Sequence, residues 1–136
     1  MATPPDRAVD LIEGRPLVAY VAVATPDGEP SVRPRWYAYH RGNVEFFAGG
    51  RLLETIRENA RVAMTIPVDV EGYGDWHISV RGEATVVEDS DLIEAAAARL
   101  YPTYVDDAWS VEREAFPPAN DDALVVVDAR IRGVAA

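Results

Sequence analysis

"PLVAYVAVATPDGEPSVRPRWYAYHRGNVEFFA", residues 16–48, decides the reading of the fold. Residues 16–24 are apolar at nearly every position, the pattern of a strand buried on both faces or enclosed in a barrel. "TPDGEP" follows with proline and an Asp-Gly pair, the turn chemistry of a hairpin. "SVRPRWYAY" (31–39) alternates Val32, Pro34, Trp36 and Ala38 against Arg33, Arg35 and Tyr37. The two arginines and the tyrosine therefore share one face of a strand. Pro34 cannot donate to a ladder, which points to an edge or irregular position. "HRGN" then turns the chain into "VEFFA", a third strand over 43–48.

The same reading extends outward in both directions. Residues 5–14 predict a short helix with Ala8, Leu11 and Ile12 on one stripe and Gly14 at its end. A second helix is predicted over 51–59, facing the sheet through Leu53 and Ile56. Strands follow over 61–68 and 76–87, the second with Gly82 marking a bulge or bend. "DSDLIEAAAARL" (89–100) predicts a helix with acids at the end the macrodipole favours. Residues 101–122 read as irregular or partly helical, and a last strand covers 123–132. Tight turns rather than helices join most strands. The expectation is a mainly β fold: one antiparallel-rich β-barrel with flanking α-helices, not a doubly wound parallel sheet.

The 136 residues suit one domain spanning 1–136, with 1–5 as a flexible lead, and 49% apolar content supplies a core. No stretch reaches the roughly 18 to 20 apolar residues of a membrane helix. "MATPP" lacks the features of a signal peptide, so a cytoplasmic location is expected, with no membrane partner. The net charge of −10 argues against a nucleic-acid binder. All 13 basic residues are arginine. Without lysine there is no Walker phosphate loop, no pyridoxal Schiff base and no Ser-x-x-Lys pair. Without cysteine there is no disulfide, thiol nucleophile or thiolate metal site. An acidic, lysine-free chain fits either a halophile or GC-rich coding.

Side chains able to do chemistry are sparse. His40 and His77 belong to no metal-ligand spacing, and no serine sits in a G-x-S-x-G elbow. Neither catalytic side chains nor a metal site are therefore expected. Anion-binding signals are stronger. Arg51 falls near the first position of the 51–59 helix, where the dipole opposes a cation by roughly 0.3 to 1 kcal/mol. Two glycines before it would let backbone approach a ligand phosphate closely. The competing explanation is a pairing with Glu54 one turn on. Arg33, Arg35 and Tyr37 form either a grip on a planar anion or an ordinary charged strand face.

In order and spacing, "RPLVAYVAVATPDGEPSVRPRWYAYHRGNVEFFAGGRLLETIRENARVAM" and "HISVRGEATVVED" resemble the pyridoxamine 5'-phosphate oxidase-like, FMN-binding split β-barrel family. The resemblance covers about residues 14–100 and, more loosely, the last strand. It implies a homodimer with flavin at the subunit interface. By that resemblance Arg33 lies near the flavin phosphate, and Arg35, Trp36 and Tyr37 run along the isoalloxazine. Phe47 and Ala48 match the next strand's contact. Gly50, Arg51 and Leu52 take the places of a Ser-Arg-Lys phosphate cradle. Three departures stand out: Gly50 replaces the serine, Leu52 the lysine, and Ala48 lacks a hydroxyl. Losing the lysine's charge-assisted bond, roughly 1.5 to 3 kcal/mol, would weaken FMN about 10- to 100-fold. The substrate residues of the true oxidase are not recognisable, so vitamin B6 synthesis is not expected. Three functions remain open: an FMN-dependent oxidoreductase acting on a small molecule, a reductase using the deazaflavin F420, or a degenerate barrel serving as a carrier. Arg33, Trp36, Tyr37 and Trp76 are expected at the dimer interface.

Overall fold

In the computed structural model, residues 5–69, 75–105, 122–128 and 130–135 are described. The element order is α1 (Pro5–Ile12), β1 (Val18–Ala24), β2 (Pro30–Trp36), β3 (Ala38–His40), β4 (Asn43–Ala48), α2 (Gly50–Glu58), β5 (Arg61–Asp69), β6 (Asp75–Val87), α3 (Ser90–Tyr104), β7 (Ala123–Asp128) and β8 (Arg130–Ala135). The strands run β2-β1-β5-β6-β7-β4-β3, with β8 also on β6, and every described pairing is antiparallel. The sheet curls into a split β-barrel with helices on its flanks, as the sequence predicts.

β6 organises the barrel. Residues 75–83 pair with β5 along one edge. Its other edge is shared: residues 77–81 pair with β8 and residues 84–87 with β7. Gly82 stands at the changeover. A Cβ there would lie 2.1 Å from the Asp128 carbonyl oxygen, so the glycine marks close backbone approach. The register shift in the β6–β8 pairing falls between Ser79 and Val80 instead.

Tyr37, Phe46, Ile56, Ile66, Ile78, Val80 and Val125 are among the fully enclosed residues of the main core. α2 closes one flank through Leu52, Leu53 and Ile56. A smaller cluster of Phe47, Ala96, Ala97, Leu100 and Leu124 seats α3 on the outer side of β4 and β7. Successive strand residues point to opposite faces. Phe46 therefore fills the barrel while Phe47 meets α3.

Several expectations need correction. β1 is buried on one face: Ala19, Val21 and Val23 point inward, whereas Tyr20 is exposed. The alternation was hidden because the outward residues are alanines and a tyrosine rather than charges. The strand expected over 31–39 divides at Tyr37 into β2 and β3, which lie at opposite ends of the strand order. The terminal strand expected over 123–132 likewise divides into β7 and β8, each on its own stretch of β6. α3 runs past Leu100, carrying Pro102 in its last turn, to Tyr104. Ala8 and Trp76 have side chains outside the described residues. Among the described residues, no helix is long and apolar enough to cross a membrane.

Candidate functional site: an aromatic cleft beside the barrel

A cleft of about 480 Å³ opens where the ends of β2 and β4 meet α3. β2 contributes Pro34, Arg35 and Trp36; β4 contributes Phe47 and Ala48, followed by Gly49. Leu100 and Tyr101 come from α3, and Asp122 from the residue before β7. Its aromatic walls are ordered by ring contacts. Tyr101 stacks on Phe47 at 5.9 Å with 5° between planes. Trp36 stacks on Tyr104 at 4.7 Å and 8°, and meets Tyr101 edge-on at 6.2 Å.

α3 is held in place by polar bonds as well as by packing. Asp89 caps it, its carboxylate accepting from the Asp91 and Leu92 amides at 2.9 and 3.1 Å. Arg99 forks onto Glu45: Nε and Nη2 donate to Oε1 at 3.1 and 3.0 Å, and Nη2 donates to Oε2 at 2.9 Å. At the far end, the Tyr104 hydroxyl donates to the Leu17 carbonyl at 2.5 Å and accepts from the Tyr37 amide at 3.1 Å. The helix that builds one cleft wall is therefore tied to β4 and to the β2–β3 junction.

The predicted site residues divide into two groups. Arg35, Trp36, Phe47 and Ala48 line the cleft; Arg33, Tyr37, Gly50, Arg51 and Leu52 do not. Arg33 shares a sheet face with Arg35, as the register opposite Val21 and Ala19 shows, but its guanidinium is exposed and donates to the Val32 carbonyl. Arg35 is half-buried and donates to the Pro34 carbonyl at 2.8 Å. Tyr37 does not complete that face. It is buried, and its hydroxyl donates to the Ile12 carbonyl at 2.8 Å, because the chain changes sheet at this residue. Leu52 belongs to the main core, so a lysine there would bury an ammonium instead of reaching a ligand.

Gly50 and Arg51 open α2 just beyond the cleft's Gly49. Gly50 takes φ +54°, a left-handed conformation that costs glycine little. Arg51 is exposed, and among the described residues no ion pair joins it to Glu54. A negative group does stand nearby. A Cβ on Gly49 would lie 2.0 Å from Asp122 Oδ1, so only glycine lets that carboxylate settle here. Burial, then the Asp122 charge, pushes the Tyr101 hydroxyl above its ordinary pKa. Sequence reasoning missed Tyr101, Tyr104 and Asp122. The aromatic i, i+3 spacing of "YPTY" was a signal, but Pro102 argued against continuing the helix. Asp122 is half of an adjacent acid pair in a loop stretch, a pattern that reads as solubility rather than as a site.

Burial also raises the pKa of Tyr104, to about 12, against a smaller opposing effect from its hydrogen bond with the Tyr37 backbone. Tyr37 is raised further, by burial and then by Tyr104, with Arg15 opposing. A raised folded pKa stabilises the fold fully below the unfolded value of 10.0, and that contribution is lost as pH rises through the folded pKa. The expected result is alkaline unfolding beginning above pH 10, with part of the tyrosinate absorbance appearing only as circular dichroism collapses. Ionisation of all six tyrosines near pH 10 with structure intact would contradict it.

A family model described as pyridoxamine 5'-phosphate oxidase matches residues 4–134. The chain belongs to that family. The pyridoxamine 5'-phosphate oxidase-like fold is a flavin-binding one, and the cleft takes in Arg35, Trp36, Phe47 and Ala48 of the stretch that the sequence resemblance singled out, while its helical wall is α3. Solved structures with the same fold include a conserved hypothetical protein of Mycobacterium tuberculosis, at TM-score 0.77 and 17% identity over 98% of this chain and 84% of that one. An F420 reductase superposes at TM-score 0.64 with 22% identity, covering 93% of this chain and 94% of the other. HutZ, a haem storage protein of Vibrio cholerae, superposes at 0.70 with 15% identity over 100% and 95%. No curated protein matches the chain. These likenesses show the fold; ligand and activity rest on the site.

Proposed function

We propose that the protein binds FMN in the aromatic cleft and acts as an oxidoreductase on a small molecule. The observation that carries this reading is the pair of near-parallel rings, Phe47 and Tyr101, with Trp36 edge-on beside them. Flat apolar walls in a cleft of this size suit a planar ring system, with a few polar groups for orientation. The residues fit the isoalloxazine better than they fit the phosphate. Arg35 offers a cation inside the cleft and Arg51, two residues after the cleft's Gly49, another outside it, but the cradle's serine and lysine are replaced. Bound flavin would supply hydride or electron transfer; the chain's own residues hold the ring, orient it and exclude water. That division of labour accounts for the lack of a nucleophile, and among the described residues no His/Cys/Asp/Glu group is arranged for a metal.

F420 is the second reading. Arg33 and Arg51 lie outside the cleft, where they would meet a longer anionic tail, and the F420 reductase shares the fold. Titrating the purified protein with FMN, F420 and riboflavin, followed by absorbance and fluorescence, separates the readings. Binding of none of them leaves the carrier barrel. Arg51→Ala should weaken FMN by about 1.5 kcal/mol, the low end for a charged hydrogen bond because the arginine is exposed, and should spare riboflavin. Equal losses for both ligands would show that Arg51 serves the fold instead.

The assembly expected is a twofold dimer. β2 is an edge strand among the described residues, and the register places Val32 and Pro34 beside Ala22 and Tyr20 on one outer face. Val32 is 55% exposed and Tyr20 44%, an apolar patch next to the cleft. Such a face suits a second copy. Light scattering should give twice the chain mass at micromolar concentration, and a monomer would remove the shared groove.

A further inference from the structure

Among the described residues, Asp122 is the one carboxylate lining a cleft proposed for a phosphorylated ligand. It comes from the residue before β7, so chain folding rather than local sequence delivers it. Its Oδ1 lies so close to Gly49 that any Cβ at that position would have to displace it. The carboxylate also faces Tyr101, whose hydroxyl it helps to raise. The end of the cleft nearest α2 therefore already carries a negative charge. A ligand phosphate approaching the Gly49–Gly50 turn meets that charge at short range, where solvent screening is incomplete.

We infer that Asp122 is a specificity-determining residue: its carboxylate opposes a ligand phosphate at the Gly49 end and narrows the preference for FMN over riboflavin. The inference rests on the flavin reading above. Asp122 and Arg51 act in opposite directions on the same group. The guanidinium of Arg51, two residues beyond Gly49, attracts the phosphate and the carboxylate lining the cleft repels it. Neutral riboflavin is nearly indifferent to both. The same ring pocket would then accept flavins with little regard to phosphorylation.

The test is a fluorescence titration of wild-type protein, Asp122→Asn and Arg51→Ala with FMN and with riboflavin, each protein's fold checked by thermal melting. Asp122→Asn should tighten FMN roughly tenfold, the scale of one screened short-range charge repulsion, and change riboflavin by less than about twofold. In Arg51→Ala the repulsion is less opposed, so added salt should strengthen FMN relative to riboflavin. Arg51 is exposed, which keeps this second measurement open if Asp122→Asn fails to fold. Flavins that bind the wild type but gain no FMN preference in Asp122→Asn would overturn the assignment and leave the flavin reading standing. If that variant does not fold, no salt effect in Arg51→Ala overturns it equally. Absence of binding by either flavin to any of the three proteins would remove the flavin reading itself, and this inference with it.

Discussion

Arg99→Met is expected to destabilise the protein by about 3 kcal/mol, because it strands a buried carboxylate. The Glu45 side chain is only 7% exposed and takes three donated bonds from one guanidinium. The Arg99 side chain is 33% exposed, so the two halves of the pair are not equivalent. Removing the arginine leaves a charge between β4 and α3 without its partner. Removing the acid frees a guanidinium that already reaches water. Glu45→Met should therefore cost less than Arg99→Met, and the double variant should recover most of the loss. Chemical denaturation of the four proteins closes the cycle. Additive losses would mean that the pair does not hold α3. Because α3 carries Tyr101 and Tyr104, Arg99→Met should also loosen the cleft wall and weaken any ring ligand.

Gly82→Ala is the second large effect, with an expected loss of about 3 kcal/mol or more from overpacking against backbone. The added Cβ would sit 2.1 Å from the Asp128 carbonyl oxygen, 3.0 Å from its carbonyl carbon and 2.8 Å from Val127 Cγ1. A flexible side chain could swing aside, but Asp128 closes β7, which is paired with both β4 and β6. Relief would require pulling β7 away from the point where β6 passes between the two halves of the barrel. A melting temperature within a few degrees of wild type would show that this crossing is looser than its geometry indicates. By contrast, Arg57→Ala breaks an ion pair with Glu88 whose members are 45% and 70% exposed and should be nearly silent.

Much of the architecture was legible because it is written in short-range patterns. The Asp-Gly hairpin, the absence of crossover helices and the amphipathic 51–59 segment are local, and antiparallel pairing follows from tight turns. Leu53 and Ile56 face the barrel as their spacing predicted. Arg35, Trp36, Phe47 and Ala48 came from the family resemblance rather than from a local pattern, and the structure brings them together along one cleft although β2 and β4 are not neighbours in chain order. The burial of Tyr37 was not legible. The period-2 pattern runs smoothly through 31–39, and only burial against Ile12 and Tyr104 ends the strand there.

From the sequence alone came the fold class, the family resemblance, the exclusion of lysine- and cysteine-based chemistry, and the puzzle of Arg51 at an electropositive helix end. Each follows from composition or from residues within a few positions of one another. The tertiary structure decided what surrounds that helix end and what walls the cleft. Tyr101 and Asp122 lie some 50 and 70 residues from Gly49 along the chain. Both arrive there because β4 pairs with β7 and α3 packs across that pair. Periodicity reports which face of an element is buried, not which distant element covers it. The carboxylate at Gly49 is therefore a property of the fold, set by a long-range strand pairing that no local pattern encodes.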